Sequence, residues 1–522
     1  MGPGTVGDNT VAFTVNGSAV EAPAGGSLLD TLREHLGVKS AKDGCSPQGQ
    51  CGCCTVWVDG QPRVACVTPV ARVAGRAVTT LEGLDGADRW ADAFCDHGGS
   101  QCGFCTPGII MRVAALTDPT EATVRQALVA HLCRCTGWHP IINSVLSASS
   151  GVSLRLEQTV RGVRGVGAVR RAGLEGGVAQ DVGAHVALGR GGFADDTAPA
   201  DALVALLGAS GEWVVGESLA QARQLSGKVQ GRRTTAPLRS PIELPAGAWM
   251  RTLQTTWVEP GYLEPDAAWC EPGGAPASSL GNGGAFGGKV ATEVGDVARR
   301  LADLHSRPVR VLLTREDVVR RGPKRPPMAA GVRSDGTGIV RVVRTPGIVE
   351  AIRSVAPGLV VVEVDVVGPP TTSAARAAGW AEAAALLASI VDREIDPRID
   401  TVTAPNGATA SASIDPAGSV HVRVQCGDPL DQVVLRSYCT GAAHMALGWV
   451  RSEGLAIGED GTPLDLTIRS FGILRAADTP SIQIEIEPDD NEPVNGSDAV
   501  FAAVAAAAWR HAGFPLAWPA AR

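Results

Sequence analysis

Gly44-Cys45-Ser46-Pro47-Gln48-Gly49-Gln50-Cys51-Gly52-Cys53-Cys54-Thr55 is the stretch on which the reading of this chain turns, with a lone Cys66 further on. A second set follows as Gln101-Cys102-Gly103-Phe104-Cys105-Thr106-Pro107-Gly108, completed by Cys133-Arg134-Cys135. Ten of the 13 cysteines lie between Cys45 and Cys135. The count is odd and the amino terminus shows no cationic start with an apolar core, so a disulfide framework is disfavoured against metal. A loop with three thiolates and one more from a neighbouring strand can enclose a planar two-iron cluster. Its glycines let backbone N–H groups reach the sulfurs and raise the potential. Zinc is the competing reading, because Cys-x-x-Cys is also a zinc spacing. Zinc sites prefer paired Cys-x-x-Cys units, however, and these sets end in a single Cys66 and in a Cys-x-Cys.

Around the first set, Val11, Phe13 and Val15 alternate before Asn16-Gly17, a hairpin signal. Ser27 caps a helix bearing Leu28, Leu29, Leu32 and Leu36, and a second hairpin turns at Asp59-Gly60. The pattern predicts a small mixed sheet gripping one helix. From about residue 85 it becomes helical, with Pro107 opening one helix and Thr120-Glu121 another. Residues 151–180, rich in Gly and Arg, read as a linker. Beyond them β-branched runs alternate with helical stretches, an α+β pattern split near residue 350. At 522 residues, with roughly 150 per domain, three or four domains are expected. The boundaries are placed at 8–84, 85–150, the linker 151–180, 181–350 and 351–522. Net charge is −8 with no basic block, which argues against nucleic acid. No apolar run is long enough to span a membrane. A soluble, cytoplasmic protein is the expectation.

Taken together, GCSPQGQCGCCTVWVDG and QCGFCTPGIIM…HLCRCTGWHPI resemble the iron–sulfur domain of the molybdenum hydroxylases, the xanthine dehydrogenase family, over about residues 10–145. The resemblance implies a β-grasp plant-type ferredoxin domain and a four-helix domain, with one [2Fe–2S] cluster each. It assigns Cys45, Cys51, Cys54 and Cys66 to one cluster and Cys102, Cys105, Cys133 and Cys135 to the other. Here five residues separate the first two loop cysteines, where the family usually has four. The family's Cys-Gly-x-Cys falls on Cys51 to Cys54, which leaves Cys53 as the variable position.

Further on, Gly283-Gly284-Ala285-Phe286-Gly287-Gly288-Lys289 resembles the family's GGGFGGK loop beside the molybdenum ligands. This would make a molybdopterin-binding-like domain in two subdomains, with Gln101, Gly284, Phe286 and Gly287 at the cofactor. Arg376 falls where the family carries a substrate-binding arginine, and Glu492 in Asn491-Glu492-Pro493 where it carries the catalytic base. The implied reaction is hydroxylation of a purine, another N-heterocycle or an aldehyde, with electrons leaving through the two clusters. No FAD-binding segment fits, so FAD is expected on a separate subunit docked near Gly44 to Gln50. A further molybdopterin-binding subunit is the other expected partner. The family's molybdenum part is about twice as long, most pterin-gripping loops are missing, and Val290 replaces the glutamate after the GGK loop. An electron-transfer and scaffold subunit with a degenerate molybdopterin domain is therefore the alternative reading.

Overall fold

The computed structural model describes residues 10–150, 165–227, 234–277, 283–290, 292–391 and 401–520. Both expected hairpins form. Asn16 and Gly17 carry φ of 51° and 83°, and Asp59 and Gly60 carry 49° and 73°. Two successive positive φ angles give the turn whose twist matches the flanking strands. The resulting five-stranded sheet runs in the order Ser18–Pro23, Thr10–Val15, Ala77–Thr79, Thr55–Val58, Gln61–Val64. Thr10–Val15 pairs in parallel with Ala77–Thr79, and the sheet holds the Ser27-capped turn with Leu28, Leu29 and Leu32 buried.

Four helices follow: Ala87–Asp96, Thr106–Val113, Glu121–Ala127 and His139–Ser150. Pro107 lies in the first turn of the second, and a Thr120–Thr123 capping box opens the third. Gly108 is required where the second helix meets the first cysteine loop. A Cβ there would collide with the Gly52 carbonyl and the Cys53 backbone.

The remaining chain is α+β, as expected, but two expected boundaries are corrected. Residues 151–164 of the expected linker lie outside the described residues. Within its second half, Val166–Gly176 is a helix with Arg171 and Glu175 buried. Arg171 is held by the carbonyls of Pro429, Asp428 and Val494, contacts that the local Gly/Arg-rich composition does not reveal. The split near residue 350 is crossed by a single sheet, ordered Leu359–Val364, Gly338–Val343, Met328–Val332, Arg251–Thr255, Ala517–Trp518. Its first two strands pair in parallel on either side of the helix Ile348–Val355. Two four-stranded sheets are interleaved with it in sequence, one with strands between 203 and 312 and one between 401 and 486.

One long helix, Gln432–Arg451, lies at the centre, capped by the Asp431 carboxylate on the N–H groups of Val433 and Val434. His444 on it is fully buried, with Nε2 at 3.1 Å from the Leu474 carbonyl. Burial pushes its imidazole down from 6.5 to about 3. Below 6.5 the unfolded chain binds a proton that the folded chain refuses until about pH 3. Stability from this group is thus lost as pH falls through that window, by at most ~1.4 kcal/mol per pH unit. Urea unfolding of the wild type and of His444→Gln should show the variant losing less stability on acidification. Parallel pH slopes would contradict this account.

Candidate iron–sulfur centres and the carboxy-terminal cavity

The eight cysteines assigned by resemblance are all buried, at 1–5% exposure. In the first group the Cys45 side chain lies within hydrogen-bonding reach of Cys51 and Cys66, and Cys66 within reach of Cys54. The Cys45 sulfur accepts the N–H groups of Gln48 at 3.2 Å and Gln50 at 3.5 Å, and the Cys54 sulfur accepts that of Cys66 at 3.4 Å. The glycine-bearing loop wraps its amides onto sulfur because no side chain keeps the backbone away. Contacts from the Cys51 and Cys66 thiols, then from the backbone, hold the Cys45 thiol well below its ordinary range. Cys53 is buried beside the first group and feels the charges of Cys45 and Cys54. Its sulfur meets Cys51, and it feels the charge of Cys133 across the join between the two groups.

In the second group the Cys102 and Cys135 sulfurs are 3.6 Å apart, and Cys105 meets Cys133. The Cys105 thiol, assisted by Thr136, lowers the Cys133 thiol to about 6. Among the described residues no three His, Cys, Asp or Glu side chains are gathered as a single-ion site. In the first group the contacts run Cys51, Cys45, Cys66, Cys54, and in the second Cys102 meets Cys135 and Cys105 meets Cys133; a [2Fe–2S] cluster takes its four cysteines two to each iron. The donor set therefore fits two such clusters. Cys270, Cys426 and Cys439 make their contacts outside both groups, and no cysteine is in a disulfide.

The rim Gly44 to Gln50, expected as an open edge, is partly sheathed. Arg315 donates to the Gly44 carbonyl at 2.8 Å, Gln48 bonds Glu316 and the Leu466 carbonyl, and Arg469 donates to the Gln50 carbonyl. Ser46 to Gln50 remain half-buried, and Val67, beside Cys66, is 52% exposed.

The second group faces inward. Gln101 Nε2 donates to the Cys135 carbonyl at 3.0 Å and to Ser437 Oγ at 2.9 Å. Arg134 forms a bidentate buried pair with Glu453 at 2.6 and 2.7 Å. The GGAFGGK loop lies directly against it, since a Cβ on Gly284 would stand 3.4 Å from the Cys135 sulfur. Gly287 presses on the Ala374 carbonyl, where no Cβ could fit. Phe286 lies under the Arg376 guanidinium at 3.7 Å, and its carbonyl accepts the Arg376 N–H at 2.9 Å. Gln101, Gly284, Phe286, Gly287 and Arg376 are thus brought together.

Glu492 is not among them, which corrects its assignment as a base at this cavity. Its side chain is 89% exposed and pairs only loosely with Arg170 at 3.2 Å. The physical reason is backbone tethering. Asp428 N–H bonds the Asn491 carbonyl and Val494 N–H bonds the Cys426 carbonyl, so the turn is pinned with Glu492 facing outward. Arg376 is buried, as a substrate arginine would be, and it is engaged in part, its Nη1 being buried without a hydrogen-bond partner. It pairs with Asp498 at 3.1 Å and donates to Ser497 Oγ at 3.1 Å. The carboxylate in this neighbourhood that sequence reading missed is Glu175, which accepts the N–H groups of Gly496 and Ser497 and pairs with Arg171. It stands in the stretch read as a linker, where only the buried Arg171–Glu175 spacing of four could have marked it.

The cavity lined by Arg134, Glu259, Phe286, Arg325, Arg376 and Trp449 holds about 30 Å³. Sites for molecules of cofactor size hold roughly 300–1,000 Å³. A pterin does not fit it.

The comparisons with known proteins agree with the cysteine geometry. A model of a "2Fe-2S iron-sulfur cluster binding domain" matches residues 8–82, and one of a "[2Fe-2S] binding domain" matches residues 80–146. The chain is 40% identical over 148 residues to the xanthine dehydrogenase iron-sulfur-binding subunit of Escherichia coli O157:H7, a match covering 26% of this chain and 92% of that one. It is 38% identical over 138 residues to the nicotinate dehydrogenase small FeS subunit of Eubacterium barkeri, covering 25% of this chain and 87% of that one. Against the aldehyde oxidoreductase of Megalodesulfovibrio gigas it is 40% identical over 161 residues, 28% of this chain and only 17% of that protein. A solved structure of the Desulfovibrio gigas aldehyde oxidoreductase superposes with a TM-score of 0.69 at 15% identity, over 96% of this chain and 97% of that one. At that identity the likeness shows the fold.

The fold, the two buried four-cysteine groups and the two domain matches define an iron–sulfur protein with two cluster domains. The chain belongs to the xanthine dehydrogenase family of molybdenum hydroxylases, and its first 146 residues are the iron–sulfur, electron-transfer part of that oxidoreductase family. Among the described residues no helix is long and apolar enough to cross a membrane.

The geometry of Cys53 and Cys54 generates a direct test. Cys54→Ser should abolish the visible absorption and paramagnetic signal of one cluster. Cys53→Ser should keep both, because of the two adjacent cysteines it is Cys54 whose sulfur meets Cys66. A cluster lost in the Cys53 variant and retained in the Cys54 variant would reverse the assignment.

Proposed function

We propose that this chain is the electron-transfer component of a molybdenum hydroxylase complex. In this reading Cys45, Cys51, Cys54 and Cys66 hold one [2Fe–2S] cluster, and Cys102, Cys105, Cys133 and Cys135 hold the other. The two buried four-cysteine groups, joined through Gly52–Cys53 and Gly108, are the observation that carries it. Each cluster takes one electron at a time, while oxidation of an aldehyde or N-heterocycle releases two. A partner able to accept electron pairs is needed, and a separate FAD-binding subunit supplies that chemistry. It would dock at the first cluster, where Val67 is exposed and Ser46 to Gln50 are half-covered. The second cluster, under the helix Gln432–Arg451 and beside Gly284, lies on the inner side of that route. The complex works on a small molecule, with hydroxylation at a molybdopterin within the assembly. A reducing, cytoplasmic compartment suits cysteines that hold clusters and form no disulfide.

The reading is tested on the purified full chain by iron and acid-labile sulfide analysis and by reductive titration. About four iron atoms, a brown spectrum and two one-electron steps with distinct paramagnetic signals are expected. Stoichiometric zinc without visible absorption would overturn the proposal.

A further inference from the structure

Three features outside the cysteine groups invite a role: the closed cavity beside Arg376, the buried amide of Gln101, and the wide groove lined by Trp57 and Trp90 between the two cluster domains. The first two belong to one arrangement. We infer that this chain has filled its own pterin position with the helix Gln432–Arg451 and the Phe286–Arg376 pair, so that it carries iron–sulfur clusters but no molybdopterin, which a partner subunit must hold. The inference rests on the proposed membership of a molybdenum hydroxylase complex.

The resemblance places a pterin between Gln101, Cys135 and the glycine loop. In this chain those residues touch protein instead. Gln101 Nε2 is spent on the Cys135 carbonyl and on Ser437 Oγ, and Ser437 Oγ donates to the Gly98 carbonyl at 2.7 Å. Gly98 stands so close that a Cβ on it would be 2.9 Å from that of Ser437. One residue on, the Tyr438 ring meets the Phe286 ring edge-on at 6.1 Å. Phe286 is capped by Arg376, which pairs with Asp498 through Nε while its buried Nη1 has no hydrogen-bond partner. Among the described residues the contacts thus run in succession through Gln101, Ser437, Tyr438, Phe286, Arg376 and Asp498. The Gln101 Oε1 atom is buried and carries no hydrogen bond. The space beside it, lined by Gln180, Ser437 and Tyr438, holds about 10 Å³. That admits at most one water, for which an amide oxygen is a suitable partner.

These contacts are not a side-chain lid that a rotamer change would open. Gly441 of the same helix lies against the Cys135 carbonyl and Gly137 against the Thr440 carbonyl, so the helix backbone itself rests on the cluster loop. Admitting a pterin would require moving a buried helix of 20 residues.

The experiment expresses the full chain in a host that makes molybdopterin and measures iron, molybdenum and the fluorescent pterin released by oxidation. The purified chain is then incubated with molybdopterin released from another enzyme, and retained pterin is measured after gel filtration. Expected are a full iron content and no pterin by either route. Pterin retained at close to one per chain by either route, with iron present, would overturn this inference while leaving the electron-transfer reading intact. Absence of iron would overturn that reading instead, and the pterin measurement would still decide between a filled and an open position.

Discussion

The backbone-to-backbone contact between the helix Gln432–Arg451 and the second cysteine loop is the constraint on which the arrangement depends. Gly441 meets the Cys135 carbonyl and Gly137 meets the Thr440 carbonyl, with no side chain between the two backbones at either point. Such an approach is open only to glycine, and a methyl group at either site would force the elements apart. Because the helix sits this close, Cys102 and Cys135 are sealed from solvent, and the two amino-terminal domains share one continuous core with the carboxy-terminal part.

Charge completes what glycine contact begins. With an aromatic content of only 4%, the carboxy-terminal part has few large rings to fill space between its loops. Buried ion pairs stand in their place: Arg134 with Glu453, Arg325 with Glu382, Lys324 with Glu259 and Lys289 with Glu264. Arg325 also stacks on Trp449 at 3.9 Å, and Lys289 lies over Tyr262 at 4.9 Å. Removing a single partner would strand a charge in low dielectric, typically at a cost of about 3–5 kcal/mol. Burial pushes Glu264 up to about 7 even beside Lys289, a measure of how dry this region is. The pairs join segments far apart in sequence, which makes this region a rigid cover over the second cluster.

The first 146 residues were legible because their chemistry is written in short spacings. Hairpin turns, the Ser27 and Thr120 caps and both cysteine sets are local signals, and the structure keeps each of them. The carboxy-terminal part was legible as α+β and in the place of Phe286 beside Arg376, which a glycine loop and its resemblance suggested. It was not legible where function depends on direction. Asn491-Glu492-Pro493 has the right residues, but contacts from 426–428 turn the glutamate outward. The helix Val166–Gly176 hid in a Gly/Arg-rich stretch because its stabilising partners, Asp428, Pro429 and Val494, are more than 250 residues away.

What the sequence determined by itself is the presence of two four-cysteine groups, for metal-ligand spacing within a loop survives whatever the rest of the chain does. What only the tertiary structure decided is the state of the cavity beyond them. Whether Ser437, Tyr438, Phe286 and Arg376 line an opening or fill it depends on how closely one helix approaches one loop. That distance is set by Gly98, Gly137 and Gly441 meeting backbone from distant parts of the chain, and no local pattern records it.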